Sequence, residues 1–113
     1  MQENMKLRDK DYLAVKEFKK AITTFLGGKL FSLVLFGSKA KGTDSSDSDI
    51  DIFIVVKKYN SLVKREIIDT AFDVNLAYGV YISPRIISLE LFNNPLFFST
   101  PFIQHIKKEG VKL

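Results

Sequence analysis

Asp49 and Asp51 are two short carboxylates two residues apart, in a stretch from Asp49 to Val56 whose side chains alternate as on a β-strand. Alternation puts Asp49, Asp51, Phe53 and Val55 on one face and Ile50, Ile52, Ile54 and Val56 on the other. The two carboxylates therefore leave the same face, with α-carbons about 6.5–7 Å apart from the strand rise. A pair of oxygen donors converging in this way can share hard divalent cations. Upstream, Gly37 and Ser38 follow a second apolar run, and residues 39–48 separate them from Asp49. Glycine lets an anion approach the backbone, serine adds a hydroxyl donor, and a helical turn starting there would favour phosphate further. Lys39 and Lys41 can neutralise a triphosphate. One end of the loop is thus suited to phosphate and the other to magnesium, which bridges phosphate oxygens to carboxylates.

The elements that must hold this loop are legible on either side of it. Asp9 caps a helix to about Leu26, in which Val15, Phe18, Ile22, Phe25 and Leu26 recur at helical spacing and Gly27-Gly28 ends the run. Leu30 to Phe36 is apolar on both faces apart from Ser32, which predicts a central strand. Gly37 to Ser48 is small and polar, a loop with one helical turn after Ser38, where Asp44 and Asp47 read as turn formers. After the strand Asp49 to Val56, Tyr59-Asn60-Ser61 opens a second helix to about Tyr78. Its inner stripe is Val63, Ile67, Ala71 and Val74, widened by Ile68 and Phe72. Val80 to Ile87 is a third strand, placed at a sheet edge or on a bulge by Pro84. Thr100-Pro101 opens a last helix closed by Gly110. The order predicts an α/β (α+β) fold in two layers, with helices on a small mixed sheet.

Composition excludes several classes. The length fits one domain over residues 1–113. Hydrophobic residues at 46% with 27% charged are globular proportions, which argues against disorder. The absence of cysteine removes disulfides, thiolate metal sites and thiol nucleophiles. A net charge of +4 suits an anionic ligand, but the basic residues are scattered, which argues against nucleic acid. The beginning Met1 to Lys6 lacks the apolar stretch of a secretory signal, and Leu30 to Phe36 is too short to span a bilayer. A cytoplasmic protein that does not engage membranes is expected. The single histidine, His105, reads as a surface residue. The cluster of Leu91, Phe92, Leu96, Phe97, Phe98 and Phe102 reads as cover for the sheet, with a partner surface as the alternative.

Gly37-Ser38-Lys39-Ala40-Lys41-Gly42 followed by Ser48-Asp49-Ile50-Asp51 resembles the signature of the DNA polymerase beta-type nucleotidyltransferases, in particular the minimal nucleotidyltransferases of bacteria and archaea. The order of elements over about residues 10 to 90 resembles that family's core as well. The resemblance implies that Gly37 and Ser38 bind a nucleoside triphosphate, with Lys39 and Lys41 beside them. It implies that Asp49 and Asp51 are catalytic and hold two magnesium ions, so that a nucleoside monophosphate, AMP from ATP, passes to a hydroxyl acceptor. It further implies a partner, a small helical protein of the HEPN type for which this chain is an antitoxin, or assembly as a homo-oligomer. One departure stands out. Members usually carry a third carboxylate on the next core strand, whereas Val80-Tyr81-Ile82-Ser83 holds no acid, and arginines common after the serine are lysines here.

Overall fold

A computed structural model describes residues 9–41 and 48–113, apart from the side chains of Ser38 and Lys41. The first helix, α1 (Asp9–Leu26), leads through a 3-10 turn (Gly27–Lys29) into β1 (Leu30–Phe36). Next come the short turn of helix α2 (Ser38–Lys41), β2 (Ile50–Val56), α3 (Ser61–Tyr78) and β3 (Ile82–Ser88). Two brief helices, α4 (Leu89–Phe92) and α5 (Pro95–Phe98), precede α6 (Pro101–Glu109) and β4 (Val111–Lys112). The sheet is mixed, in the order β3-β2-β1-β4. β1 runs antiparallel to β2 and β4, while β2 and β3 are parallel, joined by the α3 crossover.

Each sheet face has its own core. On one, Leu33 and Leu35 of β1 and Ile50, Ile52, Ile54 and Val56 of β2 meet Ala14, Val15, Phe18 and Ile22 of α1 and Val63, Ile67 and Ala71 of α3. Burial of the larger of these side chains, each contributing about 1.5–3 kcal/mol relative to exposure, holds the two long helices against the strands. On the other face Phe53 and Val55 pack on Ile103 and Ile106 of α6. Phe92 closes this core, with its ring 6.2 Å from that of Phe53, 5.9 Å from Phe98 and 6.0 Å from Phe31. Most of the aromatic cluster is thus sheet cover, although Leu96 is 81% exposed.

Local signals explain the helix ends. The Asn60 side chain accepts from Val63 N at 2.9 Å, and Gly79 closes α3 in the left-handed conformation. Thr100 caps α6 with Pro101 in its first turn. At Gly110 an added Cβ would stand 2.5 Å from both Ile106 O and Val34 Cγ1, so only glycine lets the chain turn from α6 into β4 against β1.

Several sequence expectations are corrected. Phe25 is 44% exposed rather than part of the α1 stripe, and Ile68 and Phe72 do not widen the α3 stripe, because burial stops at the narrow line of Val63, Ile67, Ala71 and Val74. Phe31 on β1 is half exposed, although its ring meets that of Phe92. β3 begins at Ile82 and not Val80. Pro84 sits on it without penalty because β3 is an edge strand. β1 is central as expected, through β4, a strand too short for any periodicity to reveal. His105 lies on the exposed side of α6, 3.6 Å from Glu109. Among the described residues no helix is long and apolar enough to cross a membrane. Asp44 and Asp47 lie outside the described residues.

Candidate functional site

Register brings the chemistry to one end of the sheet. Antiparallel pairing sets Phe36 opposite Asp51, and parallel pairing sets Ser83 beside Asp51 on its other flank. Asp49 stands one residue before β2, exposed, rather than within the strand. Paired residues on neighbouring strands face the same way, so Asp51, Ser83 and Phe36 share a face, and Arg85, paired with Phe53, lies one step further along it. This is the face that α6 covers over Phe53 and Val55, but Asp51 lies beyond the cover and is only partly buried.

Gly37 turns the chain away from β1 directly over this carboxylate. Its φ is +77°, a left-handed conformation that other residues adopt at a cost. An added Cβ would lie 2.5 Å from Asp51 Oδ2, so the backbone at Gly37 and the Asp51 carboxylate are in close approach. Gly37→Ala is therefore expected to lower stability by about 2 kcal/mol, from left-handed strain plus displacement of a carboxylate. The thermal midpoint should fall by about 5–10 °C in calorimetry.

Electrostatics single out Asp51. Burial at the strand raises its pKa above the ordinary aspartate value, the negative charge of Asp49 raises it further, and the Arg85 guanidinium partly offsets both. The pair is therefore under like-charge strain that a bound cation would relieve. Among the described residues no group of three or more Asp, Glu, His or Cys side chains could hold a metal ion. Asn75 fixes the entrance of β3: its amide oxygen accepts from Ile82 N at 2.7 Å, and its amide nitrogen donates to Ile82 O at 3.3 Å. The Ile50 N–H in turn donates to Tyr81 O at 2.8 Å, tying the start of β2 to the same segment. Asn75 escaped sequence reasoning because a polar side chain on an otherwise amphipathic helix carries no sign of a backbone partner.

The expected phosphate ligands separate. Gly37 lies over Asp51 as described, whereas the Ser38 and Lys41 side chains lie outside the described residues. Lys39 does not extend into solvent toward a triphosphate. Its side chain is 1% exposed, and its ammonium donates to Asp11 Oδ2 at 2.7 Å, inside the fold. The expectation of Lys39 as a phosphate ligand is corrected on that ground. Asp11, on the first turn of α1, was not singled out in the sequence; an acid there reads as ordinary helix N-terminal charge.

A glycine turn and paired aspartates at one end of a mixed sheet, backed by two long helices, define a nucleotidyltransferase-type architecture. The chain belongs to the nucleotidyltransferase domain family, whose model matches residues 15–112. It is 38% identical over 100 residues, 88% of this chain and 94% of the relative, to "Putative protein adenylyltransferase MJ0141" of Methanocaldococcus jannaschii. It is 36% identical over 97 residues, 86% of this chain and 91% of the relative, to "Putative protein adenylyltransferase MJ0604" of the same organism. Among solved structures, a minimal nucleotidyltransferase, so described provisionally, superposes with a TM-score of 0.56 at 20% identity, over 94% of this chain and 97% of that one. A toxin–antitoxin crystal structure with AMP-PNP superposes with a TM-score of 0.55 at 21% identity, over 93% of this chain and 72% of that one. At such identities the likeness concerns the fold.

Proposed function

We propose that this chain is an adenylyltransferase that moves AMP from ATP to a hydroxyl acceptor on another protein, with magnesium held by Asp49 and Asp51. The observation that carries the reading is the close approach of Gly37 to Asp51, where a notional Cβ would stand 2.5 Å from the carboxylate; it joins the phosphate end of the loop to its metal end. The residues fit the cation. Magnesium is commonly bound through one or two carboxylates together with substrate phosphates, so a pair of aspartates without a third acid is a sufficient protein share. When bound, magnesium would neutralise charge on the triphosphate and on the departing pyrophosphate.

The chain's own part is positioning. Gly37 leaves its backbone open to the phosphates, and Ser38 follows it with a hydroxyl donor. Asp49 and Asp51 would hold the cation at the α-phosphate end, and the cation would set that phosphate for in-line attack by an acceptor hydroxyl. The acceptor oxygen forms the new bond to phosphorus, the bond to the β-phosphate oxygen breaks, and the hydroxyl proton passes to water. Of the described residues, α6 and the β3 edge flank the site, an arrangement in keeping with an acceptor presented by a partner or by another copy.

A second reading is favoured by the acid-free β3 strand, whose residues run Ile82-Ser83-Pro84-Arg85-Ile86-Ile87-Ser88. In it the chain binds nucleotide but acts as an antitoxin-like module for a small helical HEPN-type partner, a class of partnership in keeping with the toxin–antitoxin assemblies of the same fold. ATP labelled on its α-phosphate separates the two. The enzyme reading expects magnesium-dependent label on a co-expressed partner protein, lost in Asp49→Asn/Asp51→Asn. Absence of label, with partner neutralisation intact in that double variant, favours the module.

A further inference from the structure

The buried Asp11–Lys39 pair is a charged contact that the proposed chemistry does not use. Its two side chains are 3% and 1% exposed, and it joins residues 28 positions apart. Removing two charges from water is costly, and a pair of this kind seldom adds stability over an apolar pair of similar volume. What it does supply is geometry, because an ammonium deprived of water must stay with its carboxylate. One end of the contact is on α1, which is anchored to the sheet immediately afterwards by buried Ala14, Val15 and Phe18. The other end is one residue beyond Ser38, in the four-residue turn α2 that follows Gly37. The pair thus ties the turn at the phosphate end of the site to the most firmly packed helix. Asp11 also precedes the span matched by the family model.

We propose that Asp11 is a positioning residue, which through Lys39 fixes the Ser38–Lys41 turn in the conformation that receives the triphosphate. This rests on the nucleotide-binding reading above. Without the pair, the turn keeps its Gly37 bend and the packing of Ala40 on the core but loses its charged tie to α1, and samples conformations in which its backbone no longer faces the phosphates.

The test is Asp11→Asn/Lys39→Met, which removes both charges at similar volume, in the full chain. Two quantities are read: amide hydrogen exchange over residues 37–41, and steady-state or calorimetric titration with magnesium ATP. The proposal expects exchange in that segment to quicken about tenfold while α1 beyond Ala14 keeps its protection. It expects KM or Kd for ATP to rise about tenfold with kcat at saturation held within about threefold. Wild-type exchange and wild-type ATP affinity in a folded double variant overturn it. Should the double variant not fold, Asp11→Leu/Lys39→Leu, a second neutral replacement that leaves no unpaired buried charge, is read by the same two measurements with the same outcomes. Should the unaltered chain bind no ATP, the nucleotide reading fails by itself. Exchange over residues 37–41 then decides the clamp: faster upholds it, unchanged rejects it.

Discussion

Asp51→Asn is expected to reduce adenylyl transfer about 1,000-fold or more, equivalent to about 4 kcal/mol of transition-state stabilisation, while the folded protein becomes no less stable. The loss follows from position. Asp51 is paired in the sheet with Ser83 and Phe36 on its two flanks and its carboxylate lies against Gly37, whereas Asp49 is exposed just before the strand. Asparagine keeps the shape and one oxygen but removes the charge that a hard cation requires. Transfer of α-phosphate label at saturating ATP is the measurement, and a variant retaining a tenth of wild-type activity would remove Asp51 from the metal site.

The stability half of the expectation comes from the direction of the Asp51 pKa. Burial and the charge of Asp49 raise it in the folded state, so the fold binds this proton more tightly than the unfolded chain does. The favourable contribution is complete in acid, below the unfolded aspartate value. It is lost as pH rises through the raised folded value, and it stays lost at neutrality. The amide that replaces the carboxyl in the variant does not titrate. The thermal midpoint of Asp51→Asn relative to wild type should therefore increase with pH across that window and level off above it, in buffer without divalent cations. Magnesium should narrow the gap by stabilising the wild type alone. A gap that widens toward acid would contradict the assignment of strain to this pair.

How far the sequence reached depended on the range of the signal. Gly37-Ser38 and Asp49-Ile50-Asp51 are legible because each is local: a glycine at a strand end and an alternation of period two both declare themselves within a few residues. The end of α1 at Leu26, the bounds of β1 and the cap of α3 at Asn60 follow from equally local signals, whereas Asp9 stands in the first turn of α1 and not at its cap. Legibility fails where tertiary context decides. Lys39 carries the same charge whether it points at solvent or at Asp11, and the partner is 28 positions away. Ile68 and Phe72 continue a helical stripe faithfully, yet they are exposed, and the stripe alone does not encode how much of it the rest of the fold covers. β4 pairs only Val111 and Lys112 with β1, so its existence depends on Gly110 bringing the chain alongside Val34.

Ser83→Asp is expected to tighten the divalent-cation site about tenfold and to raise transfer about 10- to 100-fold. Parallel register makes Ser83 the β3 residue level with Asp51, and the shared face brings a carboxylate at that position within reach of the same cation. The resemblance to nucleotidyltransferases led to an acid on this strand, and the strand as built offers Ser83 and then Arg85 on the site face. Hard cations respond to the number of charged oxygen ligands, so a third carboxylate strengthens binding at the cost of greater repulsion in the metal-free protein. Ser83→Asp should accordingly melt below wild type in chelator and above its own chelated value once magnesium is added. Titration with manganese, a spectroscopic stand-in for magnesium, reads the affinity directly. Unchanged metal affinity and unchanged rate would mean that position 83 does not face the aspartates during turnover. If the unaltered chain shows no transfer and Ser83→Asp does, the missing carboxylate is what separates an antitoxin-like nucleotide-binding module from an enzyme on this fold.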